Sequence, residues 1–168
     1  MSEVRRILDQ MDRAFAGNAW HGPPLMYLLD GISAEGAAKH PIPNVHSIWE
    51  IVNHVAAWNM IVRRRAVGET VDVAPELDWP PIEETTDEDW HRAVEQLKES
   101  RARLRTVVES ISDDKLFEKV LGQRYPLYGM LHGLIQHDLY HAGQIAILKK
   151  AIVAETNSAD ASAGAAAE

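Results

Sequence analysis

The chain contains no cysteine. That excludes a disulfide framework, a thiolate metal site and a cysteine nucleophile, so a metal would have to be held by His, Asp or Glu. It also fits a reducing compartment, and a cytoplasmic location is expected. No run of eighteen apolar residues occurs, so no membrane span is expected. Met1-Ser2-Glu3-Val4-Arg5-Arg6 leads into an amphipathic run and not into an apolar signal core. Basic charge is scarce: 17 Lys and Arg stand against 25 Asp and Glu, and 17 − 25 = −8. This is the wrong sign for a general nucleic-acid binder, and none is expected. Arg63, Arg64 and Arg65 form the one sharp basic run and read as a solvated helix end. No internal repeat and no convincing β pattern are visible. The 168 residues suffice for one domain with a buried core.

What is present is helical period. Val4, Ile7, Leu8, Met11 and Phe15 form one apolar stripe, which predicts a first helix from about Ser2 to Ala16, stopped by Gly17-Asn18. Residues 17–46 hold Pro23, Pro24, Pro41 and Pro43 and read as a long crossover, with short helices from Pro24 to Gly31 and from Ser33 to Lys39. Ser47 with Glu50 forms a capping-box pair and opens a second helix through Ile48, Ile51, Val52, Val55 and Trp58 to near Gly68. Residues 69–85 read as loop. Thr85 with Glu88 then predicts the start of a third helix along Trp90, Val94, Leu97, Leu104, Val108 and Ile111. Arg101 occupies that seam and is expected to snorkel to its edge, or alternatively to place a charge at a binding cavity. Residues 112–126 form a link in which a short extended pair fits, and Tyr125-Pro126 opens a fourth helix. The expected fold is all-α, a four-helix bundle with a long crossover between helices 1 and 2, spanning residues 1–153. Residues 154–168 are low in bulky apolar side chains and read as a disordered tail.

The fourth helix carries the chemistry. Leu127, Met130, Leu134, His137, His141, Ile145 and Leu148 recur every three or four residues and mark one buried stripe. His137 and His141 therefore share a face, close enough to reach one ion. Eight histidines in this length generate roughly 0.4 such pairs by chance, so the spacing alone decides little. His54 adds a third imidazole on the buried stripe of the second helix. Two readings fit: a three-histidine metal site, or core histidines satisfied by hydrogen bonds.

The segments His46-Ser47-Ile48-Trp49-Glu50-Ile51-Val52-Asn53-His54-Val55-Ala56-Ala57-Trp58 and His137-Asp138-Leu139-Tyr140-His141-Ala142-Gly143-Gln144-Ile145 resemble the two signature segments of the DinB-like, or damage-inducible, superfamily. Ala19-Trp20-His21-Gly22-Pro23-Pro24-Leu25 resembles the stretch that precedes them in one branch, and the resemblance covers about residues 1 to 152. It implies an up-up-down-down-like bundle, commonly a homodimer, in which His54, His137 and His141 hold a divalent metal. Zinc and nickel both suit imidazole. Three histidines leave a coordination position open to water or substrate. The resemblance further implies metal-dependent hydrolysis, or transfer of a low-molecular-weight thiol to an electrophile, on a small molecule it does not identify. The alternative is a metal-stabilised dimeric binding or stress-response module without turnover. Asp138, Glu50 and Asn53 are candidates to fix the ligands' other ring nitrogens. His21 is a candidate proton shuttle, and Gln144, three residues beyond His141, a candidate for orienting water or substrate.

Overall fold

Seven α-helices and one short 3-10 turn make up the described residues of this computed structural model, which run from 1 to 165, with side chains described through Glu155. Four helices are long: α1 (Glu3–Phe15), α4 (Ile48–Ala66), α6 (Asp87–Glu109) and α7 (Leu127–Ala165). Each begins or packs for a local reason. Ser2 caps α1 by accepting from the Arg5 amide. Ser47 and Glu50 form the full reciprocal capping box at α4, at 3.2 and 2.7 Å. At α6 the cap is Thr86, which accepts from the Asp89 amide, one residue later than the Thr85–Glu88 pairing predicts. Asp87, Glu88 and Asp89 then occupy the first turn, where the dipole favours acids.

The crossover between α1 and α4 carries α2 (Leu25–Leu29) and α3 (Ala34–Ala38), as expected. It is tied down by polar contacts. Lys149 of α7 donates to the carbonyls of Leu28 and Asp30, and the Trp90 indole donates to Ile32 O at 2.9 Å. The segment between α4 and α6 was expected to be loop, yet Pro75–Asp78 forms a single helical turn, α5, with proline at its start. The link before α7 contains a 3-10 turn at Asp113–Phe117 and one isolated antiparallel bridge, Lys119 to Pro126. No strand occurs among the described residues, so the chain is all-α.

Contacts fix the helix directions. Trp49 meets Trp90 and Asn59 meets Ser100, so α4 and α6 run parallel. Asp12 meets Arg105 while the Glu3 amide meets Asp113, which makes α1 antiparallel to α6. His54 lies beside His141 and Arg65 beside Tyr125, so α7 runs antiparallel to α4. The order is thus up-down-down-up, and not the up-up-down-down order the family resemblance implied. The parallel pair is the middle two helices, which is why the chain needs the crossover at 67–86.

Two apolar clusters fill the interior. One gathers α2, α3 and the first halves of α4 and α6 around Leu25, Ile48, Ile51, Val55, Leu97 and Ile145. The other joins α1 to the later half of α6 and the first half of α7 through Ile7, Met11, Leu104, Leu131 and Leu134. Residues 54–58 of α4 and 137–141 of α7 lie where the two meet. The backbone of α7 continues to Ala165, beyond the point where bulky residues cease. Alanine-rich sequence has the helix propensity for this. Residues 166–168, and the side chains beyond Glu155, lie outside the described part of the expected tail.

Candidate metal centre

His54 of α4 and His137 and His141 of α7 converge between the two helices. His54 and His141 are 5% and 4% exposed, and His137 is partly buried. The Nε2 atom of His137 lies 2.9 Å from Nε2 of His54 and 3.1 Å from Nε2 of His141. The backs of two rings are held. Nδ1 of His54 donates to the carbonyl oxygen of Asp78 at 2.6 Å, with the Asp78 carboxylate further away at 3.3 Å. Nδ1 of His141 donates to Oε1 of Gln144 at 2.6 Å. A carbonyl or amide oxygen only accepts, so both Nδ1 atoms carry the proton and both Nε2 atoms present a lone pair.

That leaves His137 with an unsolvable task. With its proton on Nε2 it satisfies one of the two facing lone pairs and strands its own Nδ1, which is buried without a hydrogen-bond partner. With the proton on Nδ1, three lone pairs face one another. A proton shared as imidazolium is not the remedy near neutral pH. Burial, reinforced by His141, His54 and Arg101, pushes His137 down to about 3. Burial likewise takes His141 down to about 4, against the opposing Gln144 bond, and lowers His54. One cation accepts all three lone pairs at once. Imidazole nitrogens around zinc lie about 2.0–2.1 Å from the metal and hence about 3.3 Å from each other in a tetrahedron. The observed separations approach that spacing, and all three ligand atoms lie within 4.8 Å of one another. The residues present fit a divalent metal, and the three histidines can hold one.

Aromatic rings wall the cluster. Trp79 stacks on His54 at 3.9 Å between centroids, and His46 stacks on the other face of Trp79 at 3.6 Å. Trp58 flanks His54 and His137 at 6.3 and 5.6 Å. Its indole donates to Asp78 Oδ1 at 2.8 Å, so one residue at the end of α5 orients both an imidazole and a wall. Such walls exclude water and keep the imidazoles neutral and ready to ligate.

A sequence profile of the DinB superfamily matches residues 23–145, a span that holds all three histidines and more than half of the chain. The chain belongs to the DinB superfamily. No curated protein and no solved structure matches it. Membership of the DinB superfamily agrees with the helical architecture and with the buried three-histidine group. No helix among the described residues of this DinB-superfamily chain is long and apolar enough to cross a membrane.

The sequence-based candidates distribute unevenly. Gln144 is at the cluster, but its oxygen is engaged by His141. His21 is exposed and lines a groove between α1 and Ile135 and Leu139 of α7, with no contact to the three imidazoles among the described residues. Of the expected supporting residues, Glu50 is occupied by the α4 cap and by His40 at 3.0 Å. Asn53 makes no hydrogen bond to the cluster among the described residues. Asp138 is fully buried and pairs with Arg101 at 2.5 Å. Burial pushes its carboxyl up, and the guanidinium pulls it back down. Arg101 therefore neither snorkels nor lines a binding cavity: it is 4% exposed, with its guanidinium 4.7 Å over the Phe15 ring. The carboxylate facing it removes the reason to reach for solvent. Asp78 and Trp79 were missed, lying in a stretch whose composition reads as loop. The signal for them is a tryptophan beside an acid within a long connection, a setting in which functional residues concentrate.

Proposed function

We propose that this protein is a divalent-metal-dependent enzyme that uses His54, His137 and His141 to hold zinc or nickel, and that it works on a small-molecule substrate by hydrolysis or by transfer of a low-molecular-weight thiol. The observation that carries this reading is the convergence of three Nε2 atoms that no placement of protons on the rings satisfies together. A metal bound there supplies a Lewis acid that polarises a carbonyl oxygen or favours a thiol's ionised form. The chain's own residues do the rest. Asp78 and Gln144 fix the tautomers of His54 and His141, so both rings present Nε2 inward without reorganisation. Trp79 and Trp58 exclude bulk water and lower the local dielectric, which strengthens electrostatic contacts at the reacting atoms. In thiol transfer the sulfur forms a bond to carbon as the leaving group departs with the thiol's proton. In hydrolysis the oxygen of water bonds to the electrophilic carbon as the bond to the leaving group breaks, and the leaving group departs with one of the water's protons.

The test is metal content of protein purified without metal-affinity resin, followed by activity on ester and thiol-acceptor panels before and after chelation. About one metal per chain, with activity lost on chelation and in His141→Ala, is the expected result. Absence of metal from such protein overturns the reading. The aromatic walls also favour a second reading, a metal-stabilised homodimeric binding or stress-response module without turnover. Full metal loading and a large fall in melting temperature on chelation, with every panel substrate untouched, selects it.

A further inference from the structure

Beside the histidines, on the wall shared by His137, lies a cavity of about 310 Å³ lined by Trp58, Val62, Met130, Leu134, two glycines and Tyr125. Among the described residues, no Lys, Arg, Asp or Glu side chain lines it. The glycines are Gly129 and Gly133, one turn apart on the same face of α7. Glycine inside a helix is unfavourable relative to alanine, and close helix packing is the usual compensation. Neither position has that excuse. A Cβ on Gly133 would meet nothing within 4 Å, and one on Gly129 would make only ordinary contacts at 3.8 and 3.9 Å. What the two glycines create is room.

At the same cavity stands a polar group with spare capacity. The Tyr125 hydroxyl accepts from Arg65 Nη1 at 3.2 Å, and its own O–H has no acceptor among the described residues. Arg65 is itself anchored through Val71 O at 2.9 Å. The cavity thus offers apolar walls, one free hydrogen-bond donor and, at His137, one wall in common with the candidate metal centre.

We propose that this cavity is the subsite for the apolar part of the centre's substrate: a single aromatic ring, or a branched alkyl group of similar bulk, bearing a hydrogen-bond acceptor for Tyr125. An apolar cavity of about 150 Å³ accepts benzene, so the larger volume here suits one ring with a small substituent and not a nucleotide or a peptide. The link to chemistry rests on the proposed metal-dependent function, whereas binding in the cavity does not.

Two probes separate the two. Para-cresol, with a ring and an oxygen acceptor but no chelating head, is titrated into the full chain with and without zinc, following the Trp58 indole and Gly133 amide resonances. Saturable shifts at both are expected in either state, weakened several-fold by Tyr125→Phe and abolished by Gly133→Leu. Val62→Phe fills the cavity from α4 and gives the same loss should Gly133→Leu fail to fold. On zinc-loaded protein, benzohydroxamate is expected to bind about tenfold or more tighter than acetohydroxamate, the advantage that burying a phenyl in place of a methyl confers. Gly133→Leu removes that advantage and leaves zinc content and acetohydroxamate affinity unchanged. Para-cresol binding that is absent, or that both filling variants leave intact, overturns the subsite. A chain that takes up no zinc overturns the metal reading instead, and the para-cresol result then judges the cavity alone.

Discussion

Two buried polar clusters meet on consecutive residues of α7. His137 faces α4 and joins two other imidazoles, while Asp138 faces α6 and meets Arg101 across the diagonal of the bundle. The second cluster cancels its own charges, although Arg101 Nε and Nη1 and Asp138 Oδ1 make no hydrogen bond among the described residues. A guanidinium and a carboxylate cancel, with Phe15 covering the pair. The first has no internal cancellation, because neutral rings with fixed Nδ1 protons direct lone pairs at a common point. Both are buried and both interrupt an apolar stripe. Burial of polar groups therefore does not identify a site. The useful question is whether charge within the cluster cancels, or whether converging lone pairs are left that only a cation satisfies together. For Arg101 and Asp138 the charges cancel through one short bond; for the histidines no arrangement of protons satisfies all three rings.

The most damaging way to test this contrast is to break the closed cluster. Asp138→Ala leaves Arg101 buried and uncompensated, and it should lower the unfolding free energy by about 3–5 kcal/mol in urea titrations of metal-free protein. Replacing both partners, Arg101→Met with Asp138→Leu, should recover most of that loss, since an apolar pair of similar volume meets no desolvation penalty. A cost under about 1 kcal/mol for Asp138→Ala would mean that the Arg101 charge does not depend on that carboxylate, and the contrast with the histidines fails.

The open cluster should respond to acid. His137 and His141 have folded-state pKa values near 3 and 4, both below the ordinary 6.5, and His54 is also lowered. The unfolded chain therefore binds more protons than the folded one at pH values below about 6.5, and stability falls as pH falls through that window. Metal-free protein should lose about 2–4 kcal/mol between pH 6.5 and 4.5. His137→Phe should flatten the profile. A wild-type profile with no slope over that interval would mean that the rings are solvated in the fold and free to ionise.

The two clusters were not equally legible in the sequence. His137 and His141 at i and i+4 within an apolar stripe, with His54 in another, announce themselves because histidine is an uncommon occupant of a seam. Arg101 also sat in a seam, but a lone arginine is ambiguous until its partner is known. Asp138 stood out only as a support for the ligands and not as the partner of Arg101, since it lies one residue off the histidine stripe, on a second buried face of α7 that includes Leu131, Ile135 and Ala142. Helical period reveals the stripe that repeats most cleanly, and a helix buried on two sides has more than one. The long helices were legible from capping chemistry and spacing, with the third cap displaced by one residue. Helix direction was not, because it depends on which connection crosses the bundle, and a crossover at 67–86 looks like any polar loop. The supports of the histidines split the same way: Gln144 lies one turn from His141, whereas Asp78 reaches His54 from 24 residues away.

Loading the open cluster should stabilise the fold. At zinc concentrations of about 100 times the dissociation constant, a ligand that binds only the folded chain adds about 2.7 kcal/mol. The melting temperature should rise with zinc in the wild type and stay fixed in His54→Ala, as read by calorimetry. An equal rise in both would place the ion elsewhere.

The smallest effect isolates what the backs of the rings contribute. Gln144 holds His141 in the tautomer that presents Nε2 inward, and Asp78 does the same for His54, while Nδ1 of His137 has no such support. Gln144→Ala makes His141 resemble His137. It should weaken zinc binding about 10-fold, at the lower end for a lost outer hydrogen bond, and change metal-free stability by less than about 1 kcal/mol, as expected for one side-chain hydrogen bond. Competition with a chelator of known affinity reads the first quantity and urea titration the second. Zinc affinity that stays within about twofold of wild type would mean that packing alone orients the rings, since the fixed tautomer would then add little to the affinity. Loss in affinity without loss in stability would instead separate ligation from folding, whereas a substitution at Arg101 or Asp138 acts on folding first.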